Sequence, residues 1–207
     1  MKKMIFQMKT RKMNNYKTNC RQFYYCLSLL FILFLTGCST RFLPIQSPDL
    51  IIADDLAIYK SEGITLTVTE QMWIKDPQFL SDHYTTFWIK VQNNTSQPYK
   101  VRPSSFALLD EDRNQMDVQD QEQVLDLMLQ NETLYIDRFL MSTQSQQEIL
   151  QKRQLIQKNI MLDSFSFGDI LPHASKQGII FFPKVKGNIN QLVFVFNNKE
   201  ITFQRIK

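Results

Sequence analysis

Apolar and polar residues alternate in short runs over much of this chain. Between Glu62 and Lys75, Ile64, Leu66 and Val68 share one face and Thr65, Thr67 and Thr69 the other, the period of two of a half-buried strand. Tyr84 to Gln92 is dense in aromatic and β-branched residues (Tyr84, Thr85, Thr86, Phe87, Trp88, Ile89, Val91) and predicts a second. Asn93 to Pro98 predicts a turn, because Asn tolerates left-handed backbone and Pro ends pairing. Tyr99 to Leu109 resumes with Val101, Phe106 and Leu108, and Asp110 to Asn114 makes another polar turn. Gly178 to Val185, Leu192 to Phe196 and Glu200 to Ile206 predict three closing strands, with Asn197-Asn198 as a hairpin turn between the last two. Short strands at this spacing indicate a mainly β domain, an antiparallel sandwich.

The middle of the chain has a different period. No glycine lies between Gly63 and Gly168 and no proline between Pro103 and Pro172. Asp120 to Met141 places Val124, Leu127, Met128, Leu134, Tyr135 and Phe139 near helical spacing. Ser145-Gln146-Gln147-Glu148 has capping-box form, and Ile149, Ile156 and Ile160 follow on one face. Two amphipathic helices inserted between strands, over about 119–162, are the expectation. They either pack on the sandwich or leave an apolar stripe (Leu127, Met128, Tyr135, Phe139, Ile149, Ile156) for a partner or a second copy. Glutamine-rich polar faces with few charges favour such helix association.

The first 37 residues follow neither pattern. Lys2, Lys3, Lys9, Arg11, Lys12, Lys17 and Arg21 come without an acid, and an apolar stretch runs from Phe23 to Leu35. As a helix it would span about 20 Å, short of a hydrocarbon core about 30 Å thick. A basic segment ahead of a short apolar one reads as an export signal. It ends in Leu35-Thr36-Gly37-Cys38, which resembles the lipobox of bacterial lipoproteins. The resemblance implies cleavage between Gly37 and Cys38, a diacylglycerol on the Cys38 thiol and a further acyl chain, such as palmitate, on the new amino terminus. It also implies a cell-envelope location. With Ser39 after the cysteine, that location is the outer membrane, facing the periplasm, if the host is Gram-negative.

Cleavage changes the charge and the cysteine chemistry. The whole chain has 24 Lys and Arg against 20 Asp and Glu, a formal +4. Removing the seven leader cations leaves 17 against 20, about −3, and nucleic-acid binding loses its support. Cys20 and Cys26 leave with the leader, so no disulfide is available and a hydrophobic core must hold the domain together. The expected organisation is a signal peptide at 1–37, a lipidated tether at 38–49 carrying Pro44 and Pro48, and a folded domain at 50–207. Extended, residues 39–49 would reach about 36 Å.

Phe87-Trp88-Ile89-Lys90-Val91-Gln92-Asn93-Asn94-Thr95, then Ser104-Ser105-Phe106-Ala107-Leu108-Leu109-Asp110, resembles the telokin-like, immunoglobulin-like domains of unknown function found in bacterial lipoproteins. Leu171-Pro172-His173 through Gly178-Ile179-Ile180-Phe181-Phe182 matches the closing half of that pattern. The chain departs from it in the helical insert, in His173 where glycine is usual, and in lacking a glycine after Asp110. The resemblance implies an immunoglobulin-like sandwich and a surface location, and it implies no chemistry.

Candidate chemistry is sparse. Asp110, Glu111 and Asp112, with Asp117 and Asp120 beyond, lack the spacing of a calcium loop and read as a solvated turn. His83 and His173 stand apart in sequence, with no nucleophile motif beside them and no glycine loop for phosphate. Trp73 and Trp88 read as core, or else as an aromatic platform. The expectation is a non-enzymatic, membrane-anchored interaction or assembly module without cofactor or metal, having an envelope protein partner or self-associating through the insert. The alternative is a periplasmic solute- or metal-binding lipoprotein using His173 and nearby acids.

Overall fold

A computed structural model gives the structure over residues 41–139 and 146–206, with the backbone alone over 132–139. The strands are β1 (Arg41–Pro44), β2 (Leu50–Ala53), β3 (Leu56–Ser61), β4 (Ile64–Glu70), β5 (Tyr84–Asn93), β6 (Tyr99–Val101), β7 (Phe106–Leu109), β8 (Gln115–Asp117), β9 (Gly168–Ile170), β10 (Ser175–Pro183), β11 (Gln191–Phe196) and β12 (Lys199–Ile206). The helices are α1 (Leu80–His83), α2 (Gln121–Phe139) and α3 (Gln146–Asp163).

Two five-stranded antiparallel sheets form a sandwich-like arrangement, ordered β1-β12-β11-β7-β8 and β10-β5-β4-β3-β2, and β6 pairs with β9 apart from them. The alternation read from the sequence points into the layer between the sheets. Leu66, Val68, Phe87, Ile89 and Val91 meet Phe106, Leu108, Phe194, Ile201 and Phe203 there. Phe87 sits among aromatic neighbours, with ring centroids 5.2 Å from Phe194 and 5.3 Å from Phe203.

The near-continuous burial of β5 and β10 follows from cover on both faces. Ile180 and Phe182 face the sandwich interior, whereas Ile179 and Phe181 face outward into a second cluster with Val124 and Met128 of α2 and Ile156 and Ile160 of α3. The helical insert thus packs on the outer face of the second sheet. Its two roots also cover the free edge of β10: Gln119 N–H donates to Phe181 O and Phe165 N–H to Ile179 O, each at 2.8 Å. Gly178 permits the approach, because a Cβ there would lie 2.6 Å from the Phe165 nitrogen.

The Asn197-Asn198 turn forms as predicted, both residues having positive φ (47° and 66°), and Glu62-Gly63 turns the β3–β4 hairpin in the same way. Two expectations need correction. The strand over Glu62–Lys75 ends at Glu70, where Trp73 leaves the sheet to bury itself under the helices. The tether over 38–49 is not free chain: Arg41–Pro44 pair with β12, Phe42 is buried, and Ile45 N–H donates to Thr202 O at 2.8 Å. An aromatic residue two places ahead of Pro44 gains more from the core than from extension toward solvent.

Candidate functional site

A concavity with an exposed apolar rim lies where the chain leaves β4. Gln71 N–H donates to Thr86 O at 3.0 Å, and the Thr86 hydroxyl donates back to Gln71 O. This turns the chain across the outer face of the sheet. Trp73 is then buried, its ring 6.2 Å from that of Phe181, with Ser81 Oγ donating to its carbonyl at 3.2 Å. Its indole Nε1 is buried without a hydrogen-bond partner among the described residues. Asn159 of α3 donates to Asp76 O at 2.9 Å, and Lys75 pairs with Asp163 at 2.6 Å, tying the loop to the end of the helix.

Between loop and helix end lies a cleft of about 280 Å³. Trp88, Gly178 and Ile179 contribute to its lining, and Met72, Ile74 and Leu162 stand at its rim with 55%, 78% and 72% of their surface exposed. A small cleft with an indole, three exposed aliphatic or thioether side chains and an ion pair suits one apolar side chain or a similar group. A second cleft, of about 370 Å³, lies at the roots of the insert between Val118–Glu122 and Ser164–Phe167. There Asp120 Oδ1 already accepts the Glu122 N–H at 2.8 Å.

The proposed partner-binding residues separate. Met128 and Ile156 are fully buried in the second core and cannot reach a partner, which corrects that reading. Helical periodicity selects the face with the strongest apolar repeat, and that face is the one the sheet covers. Leu127 and Ile149 are half-buried. Tyr135 and Phe139 lie on α2 where the backbone alone is described, and Gly37 and Cys38 lie outside the described residues. Sequence reasoning missed Met72, Ile74 and Leu162. The available signal was Met72-Trp73-Ile74, three large apolar residues in a row that a half-buried strand cannot all bury.

The other candidates stay apart. His83 Nε2 lies 3.3 Å from Asn131 Nδ2, while His173 is exposed on a turn with φ 60°. Asp110 takes the Asn114 N–H and side-chain amide, each at 2.8 Å, and these hydrogen bonds, the side-chain one foremost, hold its carboxyl below the usual range. Glu111 accepts from the backbone of Asn190 and Gln191, so the acidic run is a turn with its own protein partners. Among the described residues no group of three or more His, Cys, Asp or Glu converges to hold a metal ion, and no helix is long and apolar enough to cross a membrane.

Fold and cleft together define an antiparallel sandwich with a helical hairpin on one outer face. No protein-family model and no curated protein matches the chain. Among solved structures, it is similar to the crystal structure of a functionally unknown protein from Listeria monocytogenes EGD-e. The TM-score is 0.32 and the identity 8%, over 77% of this chain and 72% of that one, a likeness too slight to bear on function.

Proposed function

We propose that this protein is a bacterial envelope lipoprotein, anchored through acylated Cys38, whose sandwich acts as a non-catalytic interaction or assembly module of the immunoglobulin-like, telokin-like kind. One observation carries the reading: a leader rich in cations, an apolar stretch too short to span a bilayer, and Leu35-Thr36-Gly37-Cys38 follow one another without a gap. Two acyl chains give stable anchorage where one would be marginal. In a Gram-negative host the domain stands on the outer membrane and faces the periplasm. The module role is supported by the rim of Met72, Ile74 and Leu162, which gives a partner an apolar foothold beside the helical insert.

Fractionation of a Cys38→Ala variant tests the anchor. The variant is expected to leave the membrane fraction or to stay as an uncleaved precursor. Unchanged processing and membrane association would overturn the reading. Photo-crosslinking from position 74 in intact cells tests the module, and a defined adduct that disappears in a Leu162→Ser background is the expected result.

A further inference from the structure

We propose that the domain rests directly on the lipid headgroups, seated on the end of the sandwich where β1 begins; this rests on the Cys38 anchor and says which surface meets the bilayer. The inference comes from how soon the chain is captured by the fold. Three peptide units separate Cys38 from Arg41, so their Cα atoms lie at most about 11 Å apart. From Arg41 onward there is no slack. Arg41–Pro44 pair residue by residue with Ile206–Phe203 of β12. Phe42 is buried, its N–H donates to Glu70 Oε2 at 3.0 Å, and the Arg205 guanidinium lies 5.0 Å from its ring centre. The pairing ties β1 to one sheet and the Glu70 bond ties it to the other. Extending the tether would break both.

The surface at this end fits a headgroup layer better than a hydrocarbon one. Arg41 pairs with Asp55 of the β2–β3 turn at 2.8 Å, and Arg41, Lys184 and Arg205 all lie near the Glu70 carboxylate. Asp54 and Ile206 lie at this end too, as does the turn after β7, where Glu111 accepts from the Asn190 and Gln191 N–H groups at the start of β11. Cations and anions in close mixture match zwitterionic headgroups and would cost too much to sink into acyl chains. The opposite end carries the turns at Glu62-Gly63, Asn94–Pro98 and Asn197-Asn198, the first two joined by the Asn94 N–H to Gly63 O bond of 2.7 Å. The eight residues of β12 set that end about 26 Å higher at 3.3 Å per residue. Any partner must therefore approach the sides or the far turns.

Mature protein has no cysteine besides the acylated one, so an added thiol labels uniquely. Ala53→Cys lies beside the β2–β3 turn and Ser96→Cys in the far turns, both at exposed positions. Each acylated mature variant, starting at Cys38, carries a small fluorophore in phosphatidylcholine vesicles with a headgroup quencher. Quenching at position 53 several-fold stronger than at 96 is the expected result, and a ten-residue Gly/Ser insertion after Ser39 should abolish the difference while vesicle flotation persists. Equal quenching in protein that floats would overturn the seating alone. Protein that fails to float would overturn the anchor, and the seating with it.

Discussion

The Phe42 backbone N–H donates to the Glu70 carboxylate, 3.0 Å away and 28 residues later in the chain. Burial raises the Glu70 pKa above 4.5, outweighing the opposing pull of the Phe42 bond and of Arg41, Lys184 and Arg205. The folded protein thus holds this proton more tightly than the unfolded chain does. Stability from this group is greatest below pH 4.5 and falls as pH rises through the folded pKa. Glu70→Gln keeps an acceptor and removes the half-buried charge. At pH 7 it should match or exceed the natural protein in urea unfolding, with any advantage gone near pH 4. Glu70→Ala orphans the Phe42 N–H and should cost about 1–3 kcal/mol. A Gln variant much weaker than the natural protein at pH 7 would show that charge attraction outweighs desolvation here.

Asn93 is fully buried at the end of β5 and ties down the far turns. Its amide donates to Gln97 O at 2.7 Å and Ile170 O at 3.0 Å, and its oxygen accepts from the Thr95 N–H at 3.0 Å and the Thr95 hydroxyl at 2.7 Å. Asn93→Ala leaves several buried groups unpaired, so a loss of about 2–4 kcal/mol is expected from thermal or chemical unfolding. Asn93→Asp should fare no better, since it replaces the donor with a buried charge. A change below 0.5 kcal/mol, roughly that of an ordinary surface substitution, would count against this role.

The insert and sandwich meet through Gly178, where a new Cβ would press on the backbone of Ser164 and Phe165. Gly178→Ala should cost about 1–3 kcal/mol. Hydrogen exchange should show its largest rise at the Phe165 amide and along β10. Uniform loss of protection with no local excess would contradict the assignment.

Met128 and Ile156 belong to the core, whereas Met72, Ile74 and Leu162 do not. Truncating either of the first two to Ala should destabilise by about 2–5 kcal/mol. Ile74→Ser and Leu162→Ser should stay within about 0.5 kcal/mol while weakening capture of a partner. Comparing melting temperature with crosslinking yield separates the two groups.

Much of the fold was legible because alternation and turn chemistry agree. Ile64, Leu66 and Val68 point inward as their period requires, Asn197-Asn198 turns as its composition requires, and both helices begin close to the expected positions. Long-range pairing was not legible. Nothing local in Arg41-Phe42-Leu43-Pro44 announces a partner at 203–206, so the segment reads as tether until β12 is in place. The cleft was hidden for a similar reason: Trp73 looks like one more strand residue until the helices that bury it are positioned. The helix faces were legible as apolar, but period alone does not say whether a sheet or a partner covers them.

The proposed acyl anchor at Cys38 underlies both the location and the seating, and intact-mass and tandem mass spectrometry of the protein isolated from its own cells tests it. The expected result is an amino-terminal peptide that starts at Cys38 and carries a diacylglycerol thioether, with residues 1–37 absent. A mature chain that starts at another residue, or a free Cys38 thiol in membrane-bound protein, would contradict it.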